Sequence, residues 1–180
     1  MEEVRKLRTC TLSQLSKITG DSENNLHKKL ARRKVPYFNH EGRNVYSFDR
    51  PKFVDHELLV SDLHCFLWPD LISWEQPYRS SVNPDARYET SHGVFHLEME
   101  TGTSSIPKLV DKCWEYLGTK GRVHFDLPSE KEAKKLCDAI LASGIRHFGK
   151  FWVSWRGNEA LSPNGLTYIL RPSLVRELFL

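Results

Sequence analysis

The sequence predicts an α/β protein in two parts: an N-terminal winged helix-turn-helix over residues 1–50 and a mixed-sheet domain over residues 51–180. Three observations carry this. Two short N-terminal segments have apolar residues at helical spacing, are parted by Gly20, and are followed by a hairpin pattern. Beyond residue 50, apolar runs of strand length alternate with amphipathic helical stretches. Charge divides at the same place. Residues 1–50 hold 11 Lys and Arg against 6 Asp and Glu, whereas residues 51–180 hold 15 against 17. A basic module precedes a weakly acidic body, and nucleic acid is the natural partner of a basic module.

The elements follow in order. Residues 4–8 suit a short first helix. TLSQLSKITG (11–20) places Leu12, Leu15 and Ile18 on one helical face and ends at Gly20, a helix stop. Asp21 or Ser22 caps a second helix, SENNLHKKLARRK, with a thin apolar stripe of Leu26 and Leu30 and basic faces elsewhere. VPYFNHEGRNVYSF (35–48) has two apolar runs around a polar tip, a β-hairpin and so a wing. Asp49-Arg50-Pro51 reads as the junction. VDHELLVSDLHCFLW is then a helix ended by Pro69. A strand is expected around Ile72–Glu75, and NPDARYET and VFHLEMET are two strands around the turn at 91–93. IPKLVDKCWEYLGTK is a helix with Pro107 in its first turn, and RVHFDL is a strand. SEKEAKKLCDAILASG is a helix with a Ser cap and a Gly stop, and FWVSW is a strand. Residues 165–170 suit a last strand, and SLVRELFL a terminal helix. The body thus runs α β β β α β α β.

Composition excludes several classes. With 39% hydrophobic and 27% charged residues the chain has globular, not disordered, composition. No apolar run approaches the ~20 residues of a membrane span, and MEEVRKLRTC lacks the apolar stretch of a signal peptide. A cytoplasmic protein without a membrane partner is expected. The cysteines at 10, 65, 113 and 137 form no CxxC pair, so they read as reduced, mostly buried thiols and not as a zinc or redox motif.

Three acids stand out in the body. Asp85 follows Pro84 at the start of one strand, and Glu98 and Glu100 lie two apart on the next. Period-two alternation turns Glu98, Glu100 and His96 to one sheet face and Phe95, Leu97 and Met99 to the other. A hairpin at 91–93 brings Asp85 beside them. Three converging carboxylates repel one another unless a cation neutralises them, and all-oxygen ligands suit Mg²⁺ or Mn²⁺. Beside a phosphate such a metal generates a hydroxide and stabilises a departing oxygen. Acids alternating with apolar residues also occur on plain surface strands, so the pattern has a bland reading too.

The stretch NPDARY…GVFHLEMETGTSSIPKLVDKCWEYL resembles the replication-relaxation proteins of plasmids and mobile elements. DHELLVSDLHCFL and RVHFDLPSEKEAKKLCDAI…FWVSW extend the likeness to about residues 10–156. The resemblance implies a winged helix followed by a body of the PD-(D/E)xK restriction-endonuclease type. It also implies a role either in nicking DNA at an origin, as in the relaxases of one mobilisation class, or in regulating it. On that pattern Asp85 is the Asp of the motif and Glu98 its second acid, but Glu100 stands where lysine is expected. Glu100 then serves as a third ligand or as a mere neighbour. Lys108, Lys112 and Tyr116 share one face of the following helix, and Lys112 is the preferred substitute for the missing lysine. Tyr116 is a phosphate hydrogen-bonder or, as the weaker alternative, a covalent nucleophile. Glu57 in the first body helix is a further candidate metal ligand. His96 would orient a phosphate or water, and His56 and His64 read as structural.

In the winged helix, Asn24, Asn25, Lys28, Lys29, Arg32 and Arg33 populate the recognition helix, and Arg43 is placed as a wing residue. Asn and Arg read bases in the major groove, whereas lysines meet phosphates. The expectation is a protein that binds double-stranded DNA and nicks it with Mg²⁺ or Mn²⁺. Its alternative is a catalytically inactive nuclease-fold regulator of replication, transfer or transcription. Other replication or transfer proteins form a further class of partner.

Overall fold

In the computed structural model, which describes residues 2–49, 51–76, 80–156, 160–165 and 167–168, the chain opens on helix α1 (Glu2–Leu7) and a short strand β1 (Thr9–Thr11). Thr11 then starts α2 (Leu12–Thr19) with a capping box. Its Oγ1 accepts from the Gln14 N–H at 3.3 Å, and the Gln14 carboxamide oxygen accepts from the Thr11 N–H at 2.8 Å. Gly20, at φ +72, closes α2 in the left-handed region, where a side chain would be strained. Ser22 caps α3 (Glu23–Arg32), which buries Leu26 and Leu30 against Leu7, Cys10, Leu15, Val35 and Tyr46. β2 (Tyr37–His40) and β3 (Arg43–Ser47) form the hairpin. His40 pairs with Arg43 across a two-residue turn whose Glu41 and Gly42 both have positive φ, a turn that matches the twist of the strands. The sheet order is β1-β3-β2, all antiparallel, and the α-β-α-α-β-β order is that of a winged helix-turn-helix.

The junction differs from the sequence expectation. Two compact units meet between Trp68 and Pro69, not at Asp49–Pro51. The intervening helix, α4 (Val54–Leu67), is tied to the first unit by polar contacts. The Ser61 hydroxyl lies 2.5 Å from the Thr9 carbonyl and 3.2 Å from that of Leu7. The Gln14 carboxamide donates to the Leu58 carbonyl at 3.0 Å and to Asp62 Oδ1 at 2.9 Å. A broad apolar face on α4 gave no sign of which neighbour would cover it, and these nonlocal hydrogen bonds decide the matter.

The second unit is a seven-stranded mixed sheet. It comprises β4 (Ser73–Glu75), β5 (Ala86–Thr90), β6 (Gly93–Met99), α5 (Ile106–Tyr116), β7 (Arg122–Leu127), α6 (Glu130–Ala142), β8 (Phe151–Trp155), β9 (Ala160–Leu161) and β10 (Thr167–Tyr168). The strand order is β10-β9-β8-β7-β6-β5-β4. β4, β5 and β6 are antiparallel neighbours, and β6, β7 and β8 are parallel. Parallel neighbours need crossovers, and α5 and α6 supply them. Val123, Phe125, Leu127, Phe151 and Val153 pack under Leu109, Cys113, Leu136 and Ile140 of these helices. The expected α β β β α β α β order is present from α4 to β8. Sequence patterning missed β1 and β9, which are too short to show alternation. The expected terminal helix at 173–180 lies outside the described residues.

Candidate functional site

The β5–β6 hairpin gathers the acids. Ala86 pairs with Leu97, so Asp85 falls opposite the end of β6. Its N–H donates to the Leu97 carbonyl at 2.9 Å, and its Oδ2 accepts from the Met99 N–H at 2.7 Å. Glu98 lies within β6 and is 1% exposed. Glu100 follows the strand at 7% and donates its N–H to the Asp126 carbonyl at 2.9 Å. Alternation puts His96 and Glu98 on one sheet face, as the sequence predicted; the structure shows that this face is covered by α5, and the His96 ring lies 5.8 Å from that of Tyr116.

Helix α5 supplies the partners of Glu98. Leu109, Cys113 and Tyr116 form its buried stripe, and Lys112 stands one turn before Tyr116. Lys112 Nζ donates to Glu98 Oε2 and the Tyr116 hydroxyl to Glu98 Oε1. Lys108, one turn earlier, is exposed. Burial pushes the Glu98 carboxyl up to about 7, against the pull of Lys112 and Tyr116, and Asp85 adds to the rise. Burial alone would lower Lys112. The Glu98 charge and hydrogen bond, with Asp85 and Glu100, reverse this and hold its ammonium above the ordinary lysine range. Asp85, Glu98, Glu100 and Lys112 therefore share one field. The Tyr116 phenol is fully buried and pushed well up, first by burial and then by Glu98. That disfavours the tyrosinate a covalent nucleophile requires.

As donors, the three carboxylates suit a hard divalent cation. In the structure Glu98 is met by the Lys112 ammonium. Among the described residues, the group of three that brings ligand atoms within 4.8 Å of one another is His40, Glu41 and Asp55 beside the wing, not the acids of β5 and β6. Glu57 belongs to the first unit, where its carboxylate lies 3.5 Å from Arg8 Nη1. His96 Nε2 lies 2.8 Å from the Lys120 carbonyl, a backbone anchor and not a contact to the acids. His64 is buried against Trp68, and burial pushes it down to about 4.

The winged-helix candidates lie where expected. Asn24, Asn25, Lys28, Lys29, Arg32 and Arg33 are all exposed on or at the end of α3, and Arg43 is exposed at the wing. Lys29 pairs with Asp21 at 2.7 Å and Arg43 with Glu41 at 3.3 Å.

Sequence reasoning missed a second polar group on the opposite sheet face. Tyr88, His124, Ser154 and Asp126 are buried there, with Arg156 at its end. The antiparallel register of β5 on β6 and the parallel register of β6, β7 and β8 together bring these residues to one place, and no local spacing signals it.

Fold and site together define a winged helix-turn-helix joined to an α/β body with an acid cluster and a helix-borne lysine. The chain resembles the replication-relaxation family, whose model matches residues 49–122. That span is shorter than residues 10–156, but it contains Asp85, Glu98, Glu100, Lys112 and Tyr116. The likeness points to plasmid replication and mobility. No curated protein and no solved structure matches the chain. Among the described residues no helix is long and apolar enough to cross a membrane.

Proposed function

We propose that this is a DNA-binding protein of a plasmid or other mobile element whose body nicks DNA hydrolytically. The observation that carries the reading is the Lys112–Glu98 ion pair. The lysine absent at position 100 is supplied from α5, at the second acid of the motif. Lys112 offers a cation to a phosphate once Glu98 releases it. Tyr116 holds the Glu98 carboxylate in place, and the Met99 N–H does the same for Asp85. Asp85, Glu98 and Glu100 would hold Mg²⁺ or Mn²⁺, which would supply charge stabilisation at the phosphate. The α3 residues and Arg43 would bind double-stranded DNA, with Asn and Arg toward bases and Lys toward phosphates.

A second reading rests on the same contact. If Lys112 permanently replaces the cation, the body is an inactive nuclease fold and the protein a regulator. The two separate in a nicking assay on supercoiled plasmid with Mg²⁺, Mn²⁺ or EDTA. Metal-dependent open circles that vanish in Glu98→Ala support the nickase, and their absence with wild-type protein supports the regulator.

A further inference from the structure

The polar group missed by sequence reasoning has a direction. The Ser154 hydroxyl donates to Asp126 Oδ1 at 2.6 Å, which uses its one proton. Ser154 Oγ then accepts from His124 Nε2–H at 2.6 Å, which leaves His124 Nδ1 to accept the Tyr88 hydroxyl at 2.7 Å. Tyr88, His124, Asp126 and Ser154 are each at most 1% exposed. The chain of donors fixes the Asp126 carboxylate, whose Oδ2 lies 3.8 Å from Arg156 Nη1.

Arg156 follows β8 at φ +54, a left-handed conformation that costs a bulky residue on the order of 1 kcal/mol or more. Its Nη1 donates to the Glu100 carbonyl at 3.2 Å and meets Met99 Sδ at 3.6 Å. The Arg156 side chain is 32% exposed, so the guanidinium is open to solvent on one side. Met99 links the two sides, since its N–H holds Asp85 and its sulfur meets Arg156. Lys112 thus reaches the end of β6 from the α5 face and Arg156 from the other. Ligands of open α/β sheets gather at this carboxyl edge of the parallel strands, and a guanidinium fork matches two phosphate oxygens.

We propose that Arg156 is a phosphate contact of the acid site, aimed by Asp126 and, through it, by the Tyr88–His124–Ser154 chain. The ligand is a nucleic-acid phosphodiester, so the inference rests on the DNA-processing reading. The test uses the full chain and a 5′-phosphorylated thymidine dinucleotide as probe, observed through arginine Nε–Hε resonances. The Arg156 resonance should shift and saturate. Arg156→Ala should weaken binding about tenfold, the loss of one charge-assisted contact, and Arg156→Lys should recover part of it. Asp126→Asn should weaken binding less while leaving the Arg156 resonance present but displaced. An unmoved Arg156 resonance, with Arg156→Ala binding as tightly as wild type, overturns the proposal.

Plasmid nicking by the same preparations separates the two readings. Nicking that depends on Glu98 but is indifferent to Arg156, in both KM and kcat, removes Arg156 and leaves the nickase. A saturating Arg156 shift without any nicking keeps the phosphate contact and removes the nickase.

Discussion

Lys112 on α5 and Glu98 on β6 form an ion pair in which the carboxylate is 2% exposed and the lysine 33%. The strand carries Glu100 two residues on, and the helix brings the Lys112 cation to Glu98. Removing Lys112 leaves a buried acid beside Asp85 and Glu100 without its neutralising partner. Lys112→Ala is expected to reduce nicking by about a hundredfold or more, the scale of losing a preorganised electrostatic group. Single-turnover cleavage on supercoiled plasmid measures this.

Glu98 also makes stability depend on pH. Its folded value, about 7, lies above the ordinary 4.5 of the unfolded chain. As pH rises from 4.5 the unfolded state releases the proton first, so folding loses stability up to about 7 and levels off beyond. The loss is at most about 3 kcal/mol at 1.36 kcal/mol per pKa unit. Glu98→Gln removes this dependence. Urea midpoints between pH 4.5 and 8 should show the wild type falling relative to the variant up to about pH 7, with a constant difference above it.

His124 acts in the opposite sense. Burial pushes it down to about 3, whereas the unfolded histidine titrates near 6.5. As pH falls below 6.5 the unfolded chain gains a proton that the folded one refuses, so stability drops progressively toward pH 3. In His124→Gln the acid limb should be shallower. The same variant should be less stable than wild type at neutral pH by about 1–3 kcal/mol, because Tyr88 and Ser154 lose well-placed partners.

Tyr116→Phe keeps the ring in the core and deletes one donor to Glu98. A hydrolytic site should retain nicking within about tenfold, with a stability loss of about 1–3 kcal/mol for the under-satisfied carboxylate. Complete loss of cleavage, together with loss of a covalent protein–DNA adduct seen with wild type on denaturing gels, would reinstate tyrosine as the nucleophile.

The winged helix should dominate affinity for duplex DNA. Lys28→Ala and Arg32→Ala are each expected to lower the slope of log K against log salt by about one. Fluorescence anisotropy at several salt concentrations checks this, and unchanged slopes would remove these residues from the interface.

Much of this was legible in the sequence because it is local. Helical spacing and a Gly stop gave α2 and α3, and a polar tip gave the wing. Period-two alternation put Glu98 and His96 on one sheet face, and the i, i+4 relation of Lys112 and Tyr116 put both on one face of α5. What was illegible is nonlocal. The hydrogen bonds of Ser61 and Gln14 assign α4 to the first unit, against an expected junction at Pro51. Arg156 meets Glu100 only because three parallel strands end in register. Lys112 was expected to stand in for a lysine. That it would engage both a motif acid and, through it, the buried phenol required the packing of α5 on the sheet.

If the acid cluster and Lys112 form a working phosphodiester site, it shows most directly in nicking of supercoiled plasmid carrying the element's own origin. Wild type, Glu98→Ala and Lys112→Ala are compared with Mg²⁺, Mn²⁺ or EDTA. Metal-dependent open circles with wild type, abolished by Glu98→Ala and strongly reduced by Lys112→Ala, are the predicted result. Intact supercoils with wild-type protein in every metal, or cutting that persists in Glu98→Ala, would contradict it.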